Sequence, residues 1–187
     1  MTEAKIAAQL QDSLNAVADD LLFRMTTPWE LDAVMTDFGF AAGVCALQDA
    51  VGLDTICAQR QKTGHTPTPV LTRMVAEGRL GRAVGVGWYR YPGGGGPVVD
   101  PLVEDLLREE AWFAQDERKE VSDAALMTEL LAGLLREGLS LMSAGAAPDQ
   151  IDRVSCDRLG FPRAKGGLLS HARAAGLVAV GDAFARV

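Results

Sequence analysis

Thr27-Pro28-Trp29-Glu30-Leu31-Asp32-Ala33-Val34 returns as Ala147-Pro148-Asp149-Gln150-Ile151-Asp152-Arg153-Val154, with proline, an aliphatic residue, aspartate and valine kept at a constant offset of 120 residues. Self-similarity of this kind decides the architecture, because each copy repeats one supersecondary unit and the number of copies sets the fold. The same offset holds upstream, where Thr2 pairs with Ser122, Ile6 with Leu126, Leu10 with Leu130, Leu14 with Leu134 and Leu21 with Leu141. Downstream, Phe38-Gly39-Phe40 answers to Leu159-Gly160-Phe161 after one inserted residue, and Val51-Gly52-Leu53 answers to Ala175-Gly176-Leu177. Two leucine-rich helices match by spacing alone, but the loop signature Pro-x-x-aliphatic-Asp-x-Val followed by Gly-Phe does not arise that way. The chain reads as a duplication.

Each copy opens with a long amphipathic helix. Ile6, Leu10, Leu14, Val17 and Leu21 step by three or four residues and share one face. Thr2 and Ser122 are placed to cap the two copies' first helices. A second helix starts at Thr27, with Pro28 in the first helical position and Glu30 closing a capping box, and Gly39 stops it. The stretch 43–61 predicts one or two further helices interrupted near Gly52, with Asp54 as cap of the later one, and Thr68-Pro69 opens another that ends at Gly78. Residues 84–91 alternate like a strand but have no second run to pair with, so an isolated extended segment is expected. Tyr91-Pro92-Gly93-Gly94-Gly95-Gly96-Pro97 reads as a flexible linker dividing the copies. Asp100-Pro101 starts a short acidic helix, and the polar run 115–120 reads as solvated surface.

Composition narrows the function classes. A chain of 187 residues that is 48% hydrophobic and 23% charged is a folded one, and its net charge of −7 argues against a nucleic-acid partner, which needs a basic footprint. No apolar run reaches the roughly 18 residues of a membrane span, and Met1-Thr2-Glu3-Ala4-Lys5 lacks the order of a secretion signal. A cytoplasmic location is the expectation. Cys45, Cys57 and Cys156 have no metal or disulfide spacing and read as free thiols.

Catalytic motifs are missing where they are looked for. Gly85-Val86-Gly87-Trp88 keeps two glycines of a dinucleotide loop, but bulky aromatics follow them, not a helix start. His65 lies in a turn and His171 on the last helix, neither within a motif, and there is no nucleophile elbow, zinc motif or phosphate loop. One anion signal remains. Arg163 and Lys165 precede a helix beginning at Gly166-Gly167, where unpaired amides face a phosphate or carboxylate if the segment is not simply a solvated turn.

Val51-Gly52-Leu53-Asp54, Met74-Val75-Ala76-Glu77-Gly78-Arg79-Leu80-Gly81-Arg82 and Gly85-Val86-Gly87-Trp88-Tyr89-Arg90-Tyr91 resemble, in order and spacing, the C-terminal helical domain of 3-hydroxyacyl-CoA dehydrogenases. The second half, through Gly160-Phe161-Pro162 and Gly166-Gly167, resembles the second copy of that domain in multifunctional β-oxidation enzymes. The resemblance implies an all-α fold of the 6-phosphogluconate dehydrogenase C-terminal type, as two tandem helical repeats packed as a pseudo-twofold pair. The ranges are 1–91 for the first repeat, 92–120 for a linker with a short helix, and 121–187 for a second, shorter repeat.

The family's NAD-binding domain, with its catalytic His and Glu, precedes the matching region and is not within these 187 residues. The resemblance therefore implies no cofactor bound by this chain, NAD only through a partner, and no catalytic residue here. The family's substrate-contacting Asn falls at about Ala8, with Gln9 adjacent but about 100° away around the helix and Asn15 roughly 10 Å along it. Other departures are Ala41 and Val44 for prolines and Ala83-Val84 for a polar pair. Gln9, Phe40, Arg163 and Lys165 are the nominated substrate-binding residues. The expected function is the substrate-side and dimerisation domain of a 3-hydroxyacyl-CoA dehydrogenase-like protein of acyl-CoA metabolism, served by an NAD-binding subunit. The alternative is a non-catalytic acyl-CoA-binding or interaction module.

Overall fold

The amphipathic stripes and caps become nine helices among the described residues of the computed structural model, which are 1–177 and the backbone of Ala179–Val180 and Ala183–Phe184. The end of the range expected for the second repeat lies partly outside them. Repeat one holds α1 (Glu3–Arg24), α2 (Pro28–Phe38), α3 (Val44–Val51), α4 (Leu53–Lys62) and α5 (Pro69–Ala76). After β1 (Tyr89–Arg90) and β2 (Val98–Val99) come α6 (Pro101–Phe113), α7 (Asp123–Ser143), α8 (Pro148–Leu159) and α9 (Leu168–Ala174), then β3 (Ala179–Val180) and β4 (Ala183–Phe184). Among the described residues no helix is long and apolar enough to cross a membrane.

Local chemistry sets the helix ends. Thr2 caps α1, Ser122 caps α7, and Thr27 and Glu30 form a reciprocal capping box at α2. Gly39 stops α2 in the left-handed region at φ 112°, a conformation a side chain would strain. Asp54 does not cap α4, because the helix begins one residue before it at Leu53, with Gly52 in the capping position.

The two copies are equivalent in their bonding. Asp32 of α2 accepts the Cys45 amide at 2.8 Å and the Ala46 amide at 2.9 Å, tying down the start of α3. Asp152 of α8 accepts the Leu169 amide at 2.6 Å and the Ser170 amide at 3.1 Å, tying down the start of α9. The aspartate of the repeated signature is therefore a buried anchor that satisfies the otherwise unpaired first-turn amides of the next helix. Gly43 and Gly167 make the close approach possible, since a Cβ on either would collide with its aspartate.

A twofold arrangement requires residues near the axis to touch their own counterparts and residues off it to touch reciprocally. Both occur. The Phe40 and Phe161 rings meet edge-on at 5.3 Å, and the Ser13 hydroxyl donates to the carbonyl of its counterpart Gly133 at 3.5 Å. Gly39 faces Pro162, and Gly160 faces Ala41, whose amide donates to the Gly160 carbonyl at 3.1 Å. α1 packs along α7 and also on α8, while α2 packs on α7. The core is continuous across the axis, from Ile6, Leu10 and Leu14 to Leu130, Leu134 and Ile151.

Two further expectations are corrected. The segment 84–91 is not unpaired: β1 runs antiparallel to β2, with Tyr89 opposite Val99, so the glycine tract is the turn of a small hairpin rather than a free linker. Strands of two residues are too short to leave an alternation in the sequence. The run 115–120 is not simply solvated either. Arg118 donates to the carbonyls of Leu22 (2.5 Å), Phe23 (2.7 Å) and Thr26 (2.6 Å), placing a cation on the unpaired carbonyls at the end of α1.

Candidate functional site

Small residues where α1 crosses α7 leave a cleft of about 550 Å³ at the pseudo-twofold axis. One wall is Gln9, Asp12, Ser13, Ala16, Val17 and Asp20 of α1; the other is Gly133, Arg136 and Glu137 of α7, with Thr63 and His65 from the turn after α4. A Cβ on Gly133 would collide with Val17, so this glycine sets how closely the helices approach. Ala16 and Val17 of the first copy correspond to Arg136 and Glu137 of the second. At these two positions the copies line the cleft differently, apolar on α1 and charged on α7, while Asp12 and Asp20 add charge to the α1 wall.

Asp12 is held by the Gln59 amide at 3.1 Å and Asp20 by Arg60 at 3.4 Å. Burial pushes the Glu137 carboxyl up, His65 pulls it down, and Asp12 pushes it up again. A carboxyl so placed holds its proton more readily than an exposed one and can donate to or accept from a neutral polar group. Three carboxylates against Arg136 and His65 make the cleft unsuited to a phosphate. Among the described residues no group of three His, Cys, Asp or Glu is placed to hold a metal.

Behind the cleft lies a buried polar frame. Asn15 accepts from Gln48 at 3.3 Å, and Gln48 accepts the Trp88 indole N–H at 2.8 Å. Asp49 accepts the amides of Trp88 and Tyr89, both at 2.9 Å, and the Tyr91 hydroxyl at 3.0 Å. The Tyr89 hydroxyl reaches Asp32 at 3.0 Å. The loop with Gly85-Val86-Gly87 is thus fixed by side chains of α2 and α3. It leads into β1 instead of a helix, and its Trp88 and Tyr89 amides are taken, so these residues do not fit a dinucleotide.

Asp19, also buried, accepts the Thr68 amide at 3.0 Å and the Thr68 hydroxyl, with Arg60 Nε at 3.2 Å. Burial outweighs these partners and pushes its carboxyl up to about 6 from 3.8. A carboxyl raised on folding contributes stability in full below its unfolded value and loses it as pH rises through the folded one. Unfolding free energy should therefore fall between about pH 4 and pH 6.5, by about 3 kcal/mol from this group. Urea titrations at pH 4.5 and 7 of the wild type and Asp19→Asn check it: the variant should lose this group's share of the fall, with Asp32, Asp49 and Glu137, also raised by burial, keeping the rest, and an equal fall in both would refute the assignment.

The four nominated residues do not form one site. Gln9 lines the cleft, whereas Ala8 beside it is exposed and outside the lining. Phe40 is buried against Phe38 and Phe161 on the axis, so it belongs to the core and not to a binding surface. Lys165 Nζ sits 4.3 Å over the Phe38 ring, and Arg163 pairs with Asp157 at 2.6 Å in a separate hollow beside Cys156. The amides expected to receive an anion there are already used, Leu168 by Ser155 at 3.1 Å and the next two by Asp152. His65, Arg136 and Glu137 escaped the sequence reading because opposite repeats supply them. The signal was present in the mismatch of Ala16-Val17 with Arg136-Glu137 inside an otherwise apolar pairing.

Residues 8–91 match the family model described as 3-hydroxyacyl-CoA dehydrogenase, C-terminal domain. The peroxisomal bifunctional enzyme of Danio rerio is 30% identical over 178 residues, covering 84% of this chain and 25% of that one. The fatty acid oxidation complex subunit alpha of Pseudomonas savastanoi pv. phaseolicola is 28% identical, covering 84% and 24%. The solved dehydrogenase part of multifunctional enzyme 1 from C. elegans superimposes with a TM-score of 0.71 at 19% identity, over 86% of this chain and 37% of that one. The chain spans about a quarter of the length of the curated relatives it matches. With its motifs fixed in the buried frame and its helices packed twice about one axis, the chain matches over residues 8–91 the family of 3-hydroxyacyl-CoA dehydrogenase C-terminal domains.

Proposed function

We propose that this chain supplies the substrate-side helical unit of a 3-hydroxyacyl-CoA dehydrogenase-like system of fatty acid metabolism, with hydride transfer depending on a separate NAD-binding chain. The observation that carries the reading is the reciprocal packing of the family-matching copy against its internal repeat around a cleft. Residues 1–91 form the first copy in this reading, 92–120 the connection and 121–187 the second. The acyl and hydroxyl end of the ligand enters the cleft beside Gln9, and its phosphates stay outside, away from Asp12, Asp20 and Glu137. Arg163 and Lys165 are the nearest thing to a cationic contact in the second copy, and each already has an intramolecular partner.

The volume lies within the usual range for small-molecule sites. Calorimetric titration of the chain with a 3-hydroxyacyl-CoA tests the reading. Binding is expected, and Gln9→Ala should weaken it about five- to tenfold, the worth of one hydrogen bond. Absence of any heat, with no rise in melting temperature at saturating ligand, would overturn it. The second reading, a non-catalytic acyl-CoA-binding or interaction module, is favoured by one observation: Ala8 has no amide where the family places its substrate-contacting Asn.

A further inference from the structure

Large rings turned to solvent call for a partner more than any other exposed group does. Trp112 is 75% and Phe113 66% exposed at the end of α6, stacked edge-on at 5.1 Å, and Leu102 at the start of the same helix is 60% exposed. The opposite face of α6 is fully engaged: Val103, Leu106, Leu107 and Ala111 are buried, and the helix packs on α1 and α5. The outer face is therefore held rigidly, and no part of this fold covers it among the described residues. The two rings share a shallow, open depression of the surface with Arg73, Arg108, Glu109 and Glu110.

Charge narrows the occupant. Arg73 is paired with Glu77, Glu109 and Glu110, and Arg108 with Glu104, so both cations are already neutralised within the chain. With exposed Asp105 added, five carboxylates face two arginines and the surface is net acidic. A second copy presenting the same face would set acid against acid, and an anionic lipid surface would be repelled. The complementary surface is an apolar hollow ringed by lysine and arginine.

We infer that Trp112 and Phe113 anchor the NAD-binding chain that the proposed function requires, through such a basic-rimmed hollow on that chain. The inference rests on that reading. Its test is the affinity of the purified full chain for the NAD-binding domain of a 3-hydroxyacyl-CoA dehydrogenase from the same organism, by calorimetry at two salt concentrations. Wild type should bind more weakly as salt rises, and W112A/F113A should lose at least about 30-fold in Kd, as central aromatic anchors do. Glu109→Lys should weaken binding and reduce the salt dependence. Exposure of both rings means that the melting temperature of W112A/F113A should match that of wild type, which separates lost docking from lost folding.

Equal affinity of wild type and W112A/F113A would overturn the inference and leave the proposed function standing. No binding by wild type would fail the proposed function and remove the partner from this face. Self-association of wild type in sedimentation, abolished in W112A/F113A, would assign the face to a second copy and also overturn the inference.

Discussion

Asp49→Ala is expected to cost about 3–5 kcal/mol, enough to bring a domain of ordinary stability close to unfolding. The carboxylate is 1% exposed and accepts three donors, the amides of Trp88 and Tyr89 and the Tyr91 hydroxyl. Burial pushes its pKa up, so removing it relieves a desolvation cost. Three buried donors left without acceptors cost more, about 1–3 kcal/mol each where water cannot reach them. Asp49→Asn should lose about 2–3 kcal/mol, because it keeps the shape but turns an amide group toward donors. Trp88 is fully buried with its indole N–H on Gln48, so with Trp29 and Trp112 replaced by Phe its fluorescence during urea denaturation reports the loop. A loss below about 1 kcal/mol for Asp49→Ala would show that the loop is held by something else.

Gly133→Ala is expected to destabilise by about 2–3 kcal/mol, although alanine in a helix is favoured over glycine by about 1 kcal/mol. The added methyl collides with Cγ2 of Val17 and comes within 3.1 Å of Cγ1, and main chains packed at a helix crossing do not give way cheaply. Val17→Ala removes both of those atoms and should cost about 1 kcal/mol alone. Combined, the two should be less damaging than their sum by about 1–2 kcal/mol, a coupling that a double-mutant cycle reads from three denaturation midpoints. Simple additivity would mean that α1 and α7 do not meet at this register.

Much of this was legible in the sequence, and the reasons are local. Thr2, Thr27, Ser122, Pro28 and Gly39 act through their own backbones within a turn, so their capping and stopping roles follow from residue type and spacing. The offset of 120 between copies carried the architecture, and Asp32 and Asp152 turn out to perform the same bonding in each. Non-local features were hidden. The hairpin across the glycine tract rests on two ladder pairs, and the role of Arg118 depends on a helix end more than ninety residues earlier in the chain. The cleft was hidden for the same reason: Gln9 is in one copy, Glu137 in the other, and His65 in a turn that only packing brings beside them.

NADH formation from a 3-hydroxyacyl-CoA and NAD measures most directly whether this helical unit works through a partner. The chain alone should form none, and the mixture with an NAD-binding domain from the same organism should turn substrate over, with Gln9→Ala slowing it. Turnover by the chain alone would contradict this, since Asp49 already occupies the amides of the glycine loop and no other residue pattern here fits the cofactor.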